Sequence, residues 1–228
     1  MPDSRPPVLL ELFTSEGCSS CPPADELLAQ LSESGVVEDT PVIALELHVD
    51  YWNYLGWRDP FSDGAYSSRQ DAYVRFMGLR GPYTPQLVVD GRFDVLGSSG
   101  TRARAAILTA ADAKRARLQL TIDRATDTLR VASSDLPGQR VVLYVAVTER
   151  GLKTQVRRGE NAGRTLAHGP VVRWMKGVAR GDAGSLRAEV PLQLSKTWRR
   201  DRLRVVAFVQ DEKTGQVQGA SEIELPTK

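Results

Sequence analysis

The stretch VLLELFTSEGCSSCPPAD, residues 8–25, decides the fold class that we expect. Its first six residues are nearly all apolar, which favours a buried strand. Its end carries Cys18 and Cys21 followed by two prolines, and proline is tolerated only in the first turn of a helix. Residues 24–31 place three leucines on one helical face. The stretch therefore predicts a strand that leads through a Cys-x-x-Cys pair directly into a helix.

The rest of the first half alternates between strand and helix patterns. Residues 42–49 form a second apolar run that is typical of a buried strand. An Asp-Gly dipeptide between two apolar runs predicts a hairpin over residues 86–96. Helical spacing covers residues 62–77 and 101–117. The order β-α-β-α-β-β-α predicts an α/β domain with parallel first strands and an antiparallel edge.

The second half shows a different pattern. Apolar residues alternate with polar ones near residues 118–122, 129–131, 141–147 and 203–209, and Gly, Asp and Pro fill the breaks. Several short strands with turn signals are typical of an antiparallel sandwich. We therefore expect an α/β domain at residues 8–116, followed by an all-β, antiparallel sandwich-like domain at residues 117–228.

Composition excludes several classes of protein. The chain has 228 residues, 41% of them hydrophobic, and a formal charge of +2. Its longest apolar run, residues 141–147, is far shorter than the roughly 20 residues of a membrane helix, so we expect no membrane span. Residues 1–100 are acidic and residues 101–228 are basic. The basic side chains are scattered, which argues against a nucleic-acid partner.

Residues 1–7 contain no apolar segment, so no secretory signal is visible. We expect a cytoplasmic protein, or a periplasmic or secreted one if a signal has been removed. The sequence predicts no cofactor and leaves the oligomeric state open.

The Cys-x-x-Cys pair favours thiol–disulfide chemistry. A cysteine at a helix N-terminus lies near unpaired N–H groups and the positive end of the helix dipole, which stabilise a thiolate. Two intervening residues let the second thiol resolve a mixed disulfide formed by the first. We expect Cys18 to be the exposed nucleophile and Cys21 the resolving thiol. A structural disulfide and a metal site remain alternatives.

Thr84 and Pro85 directly precede a predicted strand, where an ordinary trans proline is the commonest case. Together with the cysteine pair and the order of elements, however, the dipeptide resembles the thioredoxin fold over about residues 8–116. The resemblance implies that Pro85 follows a cis peptide bond beside the redox pair and that Thr84 binds an extended substrate. It also implies protein or small thiol and disulfide substrates as partners.

A narrower resemblance covers nearly the whole chain. It is carried by the blocks ELFTSEGCSSCPPAD (11–25), HVDYWN (48–53), LGWRDPF (55–61), YTPQ (83–86) and GENAGR (159–164). These blocks are similar to an uncharacterised bacterial family of thioredoxin-like proteins, often exported and of unknown function. This resemblance supports the fold but implies no established reaction.

A proton acceptor for the resolving thiol is expected on the second strand. Thioredoxins bury an Asp six residues before the first cysteine, but this chain has Leu12 there. Glu46 interrupts an otherwise apolar run, and a buried carboxylate would have a raised pKa and could accept a proton from Cys21. The alternative is that Glu46 faces solvent or pairs with an arginine. Glu11 is a second, weaker candidate.

An aromatic-rich insertion near residues 50–69 follows the second strand. The C-terminal ends of parallel strands surround active sites, so the insertion is expected near the cysteines. We expect Tyr51, Trp52 and Trp57 to line a substrate groove there. The alternative is that the aromatic side chains only pack the insertion together.

Other readings of the chemistry remain open. Cys18, Cys21 and His48 have donor types that suit Cu(I) or Zn(II) in a metal-binding or metal-delivery protein. His168 would add a fourth ligand only if the two domains converged. A non-catalytic interaction module with a vestigial cysteine pair is a third hypothesis. Asn161, Arg164, His168 and Arg173 are expected in a solvated loop. The alternative is that this polar segment docks against the acidic first domain or lines a substrate surface.

Overall fold

The computed structural model describes residues 5–137, 140–182 and 184–226. The expectation about an export signal concerned residues 1–7, and residues 1–4 of that segment lie outside the described residues. Within these ranges, no helix has the combination of length and apolar character that crossing a bilayer requires.

The described chain contains three α-helices and fourteen strands. The helices are α1 (Pro22–Ser34), α2 (Gly64–Met77) and α3 (Gly100–Ala111). The strands of the first half are β1 (Val8–Thr14), β2 (Val36–Val37), β3 (Thr40–His48), β4 (Gln86–Val89) and β5 (Phe93–Leu96). Those of the second half are β6 (Gln119–Asp123), β7 (Thr128–Leu136), β8 (Val141–Glu149), β9 (Lys153–Gln155), β10 (Thr165–Ala167), β11 (Val171–Gly181), β12 (Gly184–Pro191), β13 (Leu203–Asp211) and β14 (Val217–Glu224).

One mixed sheet joins the two halves of the chain. Its strand order is β14-β13-β8-β11-β3-β1-β4-β5, and the short β2 pairs with β3 off this path. β1 and β3 are parallel, whereas β4 and β5 add antiparallel strands at one edge. At the other side β11 pairs in parallel with β3, with Val171 opposite Glu46. A separate three-stranded sheet has the order β12-β7-β6.

The fold class expected from the sequence is therefore wrong. We expected an α/β thioredoxin-like domain followed by a separate all-β domain. The structure is 42% strand and 21% helix, and most of its strands form a single large sheet. The physical reason is β11, a strand of the second half that hydrogen-bonds to the edge that β3 would otherwise expose. The boundary between residues 116 and 117 stays a prediction about folding units.

The hydrophobic core has three clusters arranged around this sheet. One cluster lies where α1 and α3 cover the strands of the first half, and a second lies between the strands of the second half and the three-stranded sheet. The third cluster draws on both halves, since it includes Leu9, Phe13, Ala146, Val206 and Phe208. The shared third cluster continues the core across the seam between β3 and β11.

A buried ion pair fastens α2 to the middle of the sheet. Arg69 donates to both carboxylate oxygens of Glu11, through Nε at 2.5 Å and through Nη2 at 3.0 Å. Tyr73 donates to the same carboxylate, and Gln210 of β13 contacts both Arg69 and Tyr73. Glu11 is 1% exposed, so the weaker candidate for proton transfer is instead committed to this pair.

We predict that Glu11→Ala lowers the free energy of unfolding by about 3–5 kcal/mol, because it leaves the Arg69 charge buried without its partner. Urea denaturation followed by circular dichroism measures this loss. Glu189→Ala is the matched control, since Glu189 pairs with Arg130 on an exposed surface and its removal should leave stability nearly unchanged. Equal losses in the two variants would contradict the assignment.

Candidate functional site

Cys18 and Cys21 form a disulfide in the loop between β1 and α1, with their Cα atoms 5.4 Å apart. Cys21 is the N-cap residue of α1, and a proline occupies the first helical position, where its missing N–H costs nothing. The disulfide therefore lies at the positive end of the helix dipole. Cys18 is 1% exposed and Cys21 is 0% exposed, whereas we expected Cys18 to be exposed.

A loop of the second half closes over the cysteine loop. Asn161 donates through Nδ2 to the backbone oxygens of Glu16 and Cys18, each at 2.9 Å. The neighbouring Glu160 accepts from the backbone N–H of Ser19 at 3.0 Å. Asn161 is fully buried, so the expectation that it lies in a solvated loop is wrong. We call residues 159–164 the covering loop, and its attachment accompanies the burial of Cys18.

The Thr84–Pro85 peptide bond is cis, and Pro85 is buried. Pro85 lies close to the first turn of α1, because a Cβ placed on Gly97 would be 3.1 Å from the Cβ atoms of both Pro85 and Ala24. Trp52 donates through its indole N–H to the Thr84 hydroxyl at 2.8 Å. The structure therefore connects the aromatic insertion to the dipeptide that we expected to bind substrate.

The aromatic side chains of the insertion have different surroundings. Trp52 also covers the cysteine loop, since a Cβ placed on Gly17 would lie 3.1 Å from the Cβ of Trp52. Tyr51 donates to Gln70 of α2 at 3.0 Å, which ties the insertion to that helix. Tyr54 is 80% exposed. Trp52 thus lies beside both the cysteine loop and Thr84, whereas Tyr51 is held against α2.

A buried chain of alternating carboxylates and imidazoles lies beside the cysteine loop. His48 binds Asp59 through Nδ1 at 2.7 Å and Glu46 through Nε2 at 3.0 Å. His168 binds the same Glu46 oxygen through Nδ1 at 2.9 Å and Glu16 through Nε2 at 3.1 Å. All five residues are buried. The chain brings together β3, the aromatic insertion, the cysteine loop and the second half of the sequence.

Trp57 is half-buried and hydrogen-bonds to this chain. Its indole N–H donates to the second carboxylate oxygen of Glu16 at 2.7 Å. Its Cβ would be 3.3 Å from a Cβ on Gly159, so Trp57 also contacts the covering loop. Trp57 therefore supports the buried chain and the cover at once.

Hydrogen bonding reverses the pKa shift that we expected for Glu46. Burial raises the pKa of this carboxyl, but hydrogen bonds from His168 and His48 outweigh burial and lower it to about 2. Burial lowers the pKa of His168, yet its bonds to Glu16 and Glu46 raise it to about 9. The pKa of His48 also lies well above its ordinary value, because the charge of Asp59 overcomes burial. The raised pKa predicted for Glu46 is therefore wrong.

Beside the disulfide, the carboxyl of Asp25 has a raised pKa, and we did not expect this residue to take part in the chemistry. It lies one helical turn after Cys21, and its backbone N–H donates to the Cys21 carbonyl at 3.1 Å. Burial and then the charge of Glu46 raise its pKa to about 7, against a 2.6 Å hydrogen bond from Thr14. One feature of the sequence could have indicated Asp25. It lies four residues after Cys21, and this spacing places the two side chains on one face of a helix.

Among the described residues, one group of three potential metal ligands has its ligand atoms within 4.8 Å of one another. The group consists of Glu46, His48 and His168, all of them buried. Cys18 and Cys21 are joined to each other and do not belong to it. His168 was considered as a ligand only if the two halves converged, and the pairing of β3 with β11 brings them together.

Fold and site define a mixed-sheet protein that holds a Cys-x-x-Cys disulfide at a helix N-terminus. The chain belongs to the DUF1223 family, described as a protein of unknown function, which matches residues 9–210. A comparison with curated proteins finds no match.

Two solved structures resemble this chain over most of its length. A crystal structure of a protein from Agrobacterium tumefaciens has a TM-score of 0.76 and 27% identity, and the match covers 97% of this chain and 95% of that one. HBP35 of Porphyromonas gingivalis has a TM-score of 0.69 and 19% identity, with 98% of this chain and 76% of that one covered. At that identity, HBP35 indicates a shared fold alone.

We predict that Asn161→Asp speeds reduction of the disulfide by dithiothreitol several-fold. The substituted side chain has nearly the same shape but no N–H donors, so the two carbonyls it contacted lose their bonds and the covering loop loosens. Stopped-flow measurement under pseudo-first-order conditions gives the rate. Ala162→Ser, at an exposed position of the same loop, is the control and should keep the wild-type rate. An unchanged rate for Asn161→Asp would show that the loop does not limit access.

Proposed function

We propose that this protein is a thiol–disulfide oxidoreductase acting on protein or small thiol substrates. The observation that carries the proposal is the Cys18–Cys21 disulfide at the N-terminus of α1, with the buried Asp25 one turn further along that helix. A helix N-terminus stabilises a thiolate, and a nearby carboxyl can exchange a proton with it. The resemblance of the cysteine and Thr-Pro motifs to thioredoxin-like proteins supports the chemistry, whereas the proposal does not carry over their fold.

In the oxidised state, a substrate thiolate attacks the Sγ atom of Cys18. The Cys18–Cys21 bond breaks, a mixed disulfide forms between substrate and Cys18, and Cys21 leaves as a thiolate. The protonated carboxyl of Asp25 gives its proton to that thiolate. A second substrate thiolate then attacks the substrate sulfur of the mixed disulfide and expels the Cys18 thiolate. The substrate is oxidised by two electrons, and the cysteine pair is reduced by two.

The substrate-binding edge of this proposal consists of Thr84, Pro85 and Trp52. Trp52 bonds to Thr84 and lies over Gly17, so it occupies the space between the dipeptide and the cysteine loop. Because Cys18 is buried, a substrate gains access only when Trp52 or the covering loop moves. We therefore propose that the oxidoreductase selects partners able to displace this cover, with the aromatic face of Trp52 as their first contact.

We predict that equilibration with defined ratios of reduced to oxidised glutathione converts one disulfide into two thiols per chain in a single transition. Thiol titration after acid quenching measures the populations. In addition, Cys21→Ser leaves Cys18 as a free thiol that attacks substrate disulfides. The mixed disulfides should accumulate because Cys21 is not there to displace the substrate, whereas Cys18→Ser should accumulate none. The proposal fails if no accessible ratio interconverts the two states. Equal trapping by both variants would reject the assignment of nucleophile and resolving thiol.

We predict that the rate of attack on the disulfide, expressed per attacking thiolate, falls as pH rises through about 7. Below that pH Asp25 is neutral and can protonate the leaving Cys21 thiolate, whereas above it the carboxylate repels the thiolate. Its neighbouring charged groups are Glu46, His48 and His168. Asp25→Asn should abolish the inflection, because its side chain does not ionise.

The matched control for this pH profile is Asp112→Asn, at the exposed C-cap of α3. It should keep the wild-type inflection. An inflection that survives in Asp25→Asn would remove Asp25 from the proposed proton transfer while leaving the redox assignment of the cysteines standing.

A further inference from the structure

The two histidines of the chain, His48 and His168, direct one nitrogen each at the same carboxylate oxygen. Nε2 of His48 and Nδ1 of His168 lie 3.0 and 2.9 Å from Oε1 of Glu46. We infer that these three side chains bind one first-row divalent cation, with Zn²⁺ as the preferred ion. Two imidazoles and one carboxylate are a known protein ligand set for Zn²⁺, with the fourth position open to water or another ligand.

The groups around the three ligands support a metal site. Metal-ligating histidines usually donate their other ring N–H to a carboxylate, which fixes the ring and its tautomer. Here Nδ1 of His48 lies 2.7 Å from Asp59, and Nε2 of His168 lies 3.1 Å from Glu16. Both rings therefore already have the kind of outer carboxylate partner that commonly accompanies metal ligation, while the other nitrogen of each ring points toward Glu46.

The second oxygen of Glu46 is also fixed. Gly169 donates its backbone N–H to Oε2 at 2.5 Å. A Cβ on Gly169 would lie only 2.9 Å from that oxygen, so the close approach depends on glycine at this position. The backbone of the second half thus holds Oε2 in place, and Oε1 remains directed at the two ring nitrogens.

Charged partners for a cation are already present in this buried site. Metal binding takes the lone pairs of Nε2 of His48 and Nδ1 of His168, so any proton on either nitrogen is released when a cation enters. The carboxyl groups of Glu46, Asp59 and Glu16 surround the two rings, and they would compensate the charge of a divalent cation that would be costly to bury without partners.

The inferred site does not depend on the proposed redox function. Its ligands do not include Cys18 or Cys21, which are bonded to each other. It also differs from the metal site expected from the sequence, which used the thiols of Cys18 and Cys21 together with His48. The double variant Cys18→Ser/Cys21→Ser therefore separates the possibilities: it should retain the binding inferred here, although it abolishes thiol–disulfide exchange.

The test uses full-length protein purified without a polyhistidine tag and treated with a chelator. We expect titration calorimetry with Zn²⁺ to show one saturable site per chain with roughly micromolar or tighter affinity. Co²⁺ should bind in the same proportion, with visible absorption and without the intense sulfur-to-metal charge-transfer band of a thiolate site. Absence of saturable Zn²⁺ and Co²⁺ binding to the wild-type chain would overturn the inference, whatever the variants do.

Variants then assign the ligands. His168→Gln should weaken Zn²⁺ binding by at least 100-fold. Asp59→Asn should weaken it by about 10- to 100-fold, because Asp59 is the outer partner of His48 and also accepts from the backbone N–H of Glu16. Glu222→Gln, which removes a carboxylate from β14, should bind as the wild type does. Circular dichroism tests whether each variant is folded. If His168→Gln is unfolded, the Zn²⁺ affinity of Asp59→Asn becomes the test of the ligand assignment.

If His168→Gln is folded and binds Zn²⁺ with wild-type affinity, the inference is overturned. If His168→Gln is unfolded, wild-type affinity in Asp59→Asn overturns it instead. Loss of binding in the Cys18→Ser/Cys21→Ser variant would also overturn it, because the ligands would then be the thiols. Retained Zn²⁺ binding without any redox exchange would support this site while contradicting the proposed oxidoreductase, so the two proposals fail separately.

Discussion

The carboxylate of Glu46 holds the seam on which the rest of the structure depends. β3 and β11 are in register at Glu46 and Val171, and the Glu46 N–H donates to the Pro170 carbonyl at 3.0 Å. The side chain extends this short pairing, since it accepts from the backbone of Gly169 and contacts the ring of His168. A buried carboxylate is tolerated only with such partners. The contacts that unite the two halves are therefore the contacts that build the buried site.

Local patterns predicted the elements but not their assembly. The strand at 42–49 and the hairpin at 86–96 correspond closely to β3 and to β4 with β5, because apolar runs and an Asp-Gly turn act over a few residues. β11 was not predicted. It carries arginine, lysine and glycine, and its pairing with β8 has two irregularities that break the two-residue alternation. No local pattern indicates that such a strand covers the edge of β3, so the expected fold class, a thioredoxin-like α/β domain followed by a separate all-β domain, failed there.

The same distinction explains what the sequence revealed of the site. Cys18 and Cys21 are neighbours in the chain, so their spacing alone indicates a pair. The pKa of Glu46 depends on hydrogen bonds from His168, which lies 122 residues away, and the burial of Cys18 accompanies bonds from Asn161, 143 residues away. A carboxylate in an apolar run predicts a raised pKa only when no donors reach it. Here one partner, His48, lies two residues away on the same strand, whereas His168 and the backbone N–H of Gly169 come from the second half of the chain. With these partners in place, the direction of the shift reverses.

The two faces of the sheet contain buried polar networks of different kinds. On one face Glu11 is paired with Arg69, whose charge is fixed across the whole physiological range, and such a pair fastens elements together. On the other, Glu46 is paired with two imidazoles, which are titratable groups, and their bonds to the surrounding carboxylates raise the pKa of both rings. Replacement of buried ionic groups by apolar ones is often neutral or stabilising, so packing alone does not account for either network. A network meant only to fasten β3 to β11 needs no group that titrates, and this one, beside the disulfide, has two such rings and Asp25 within reach of their charge. Its composition is suited to moving protons or exchanging them for a cation.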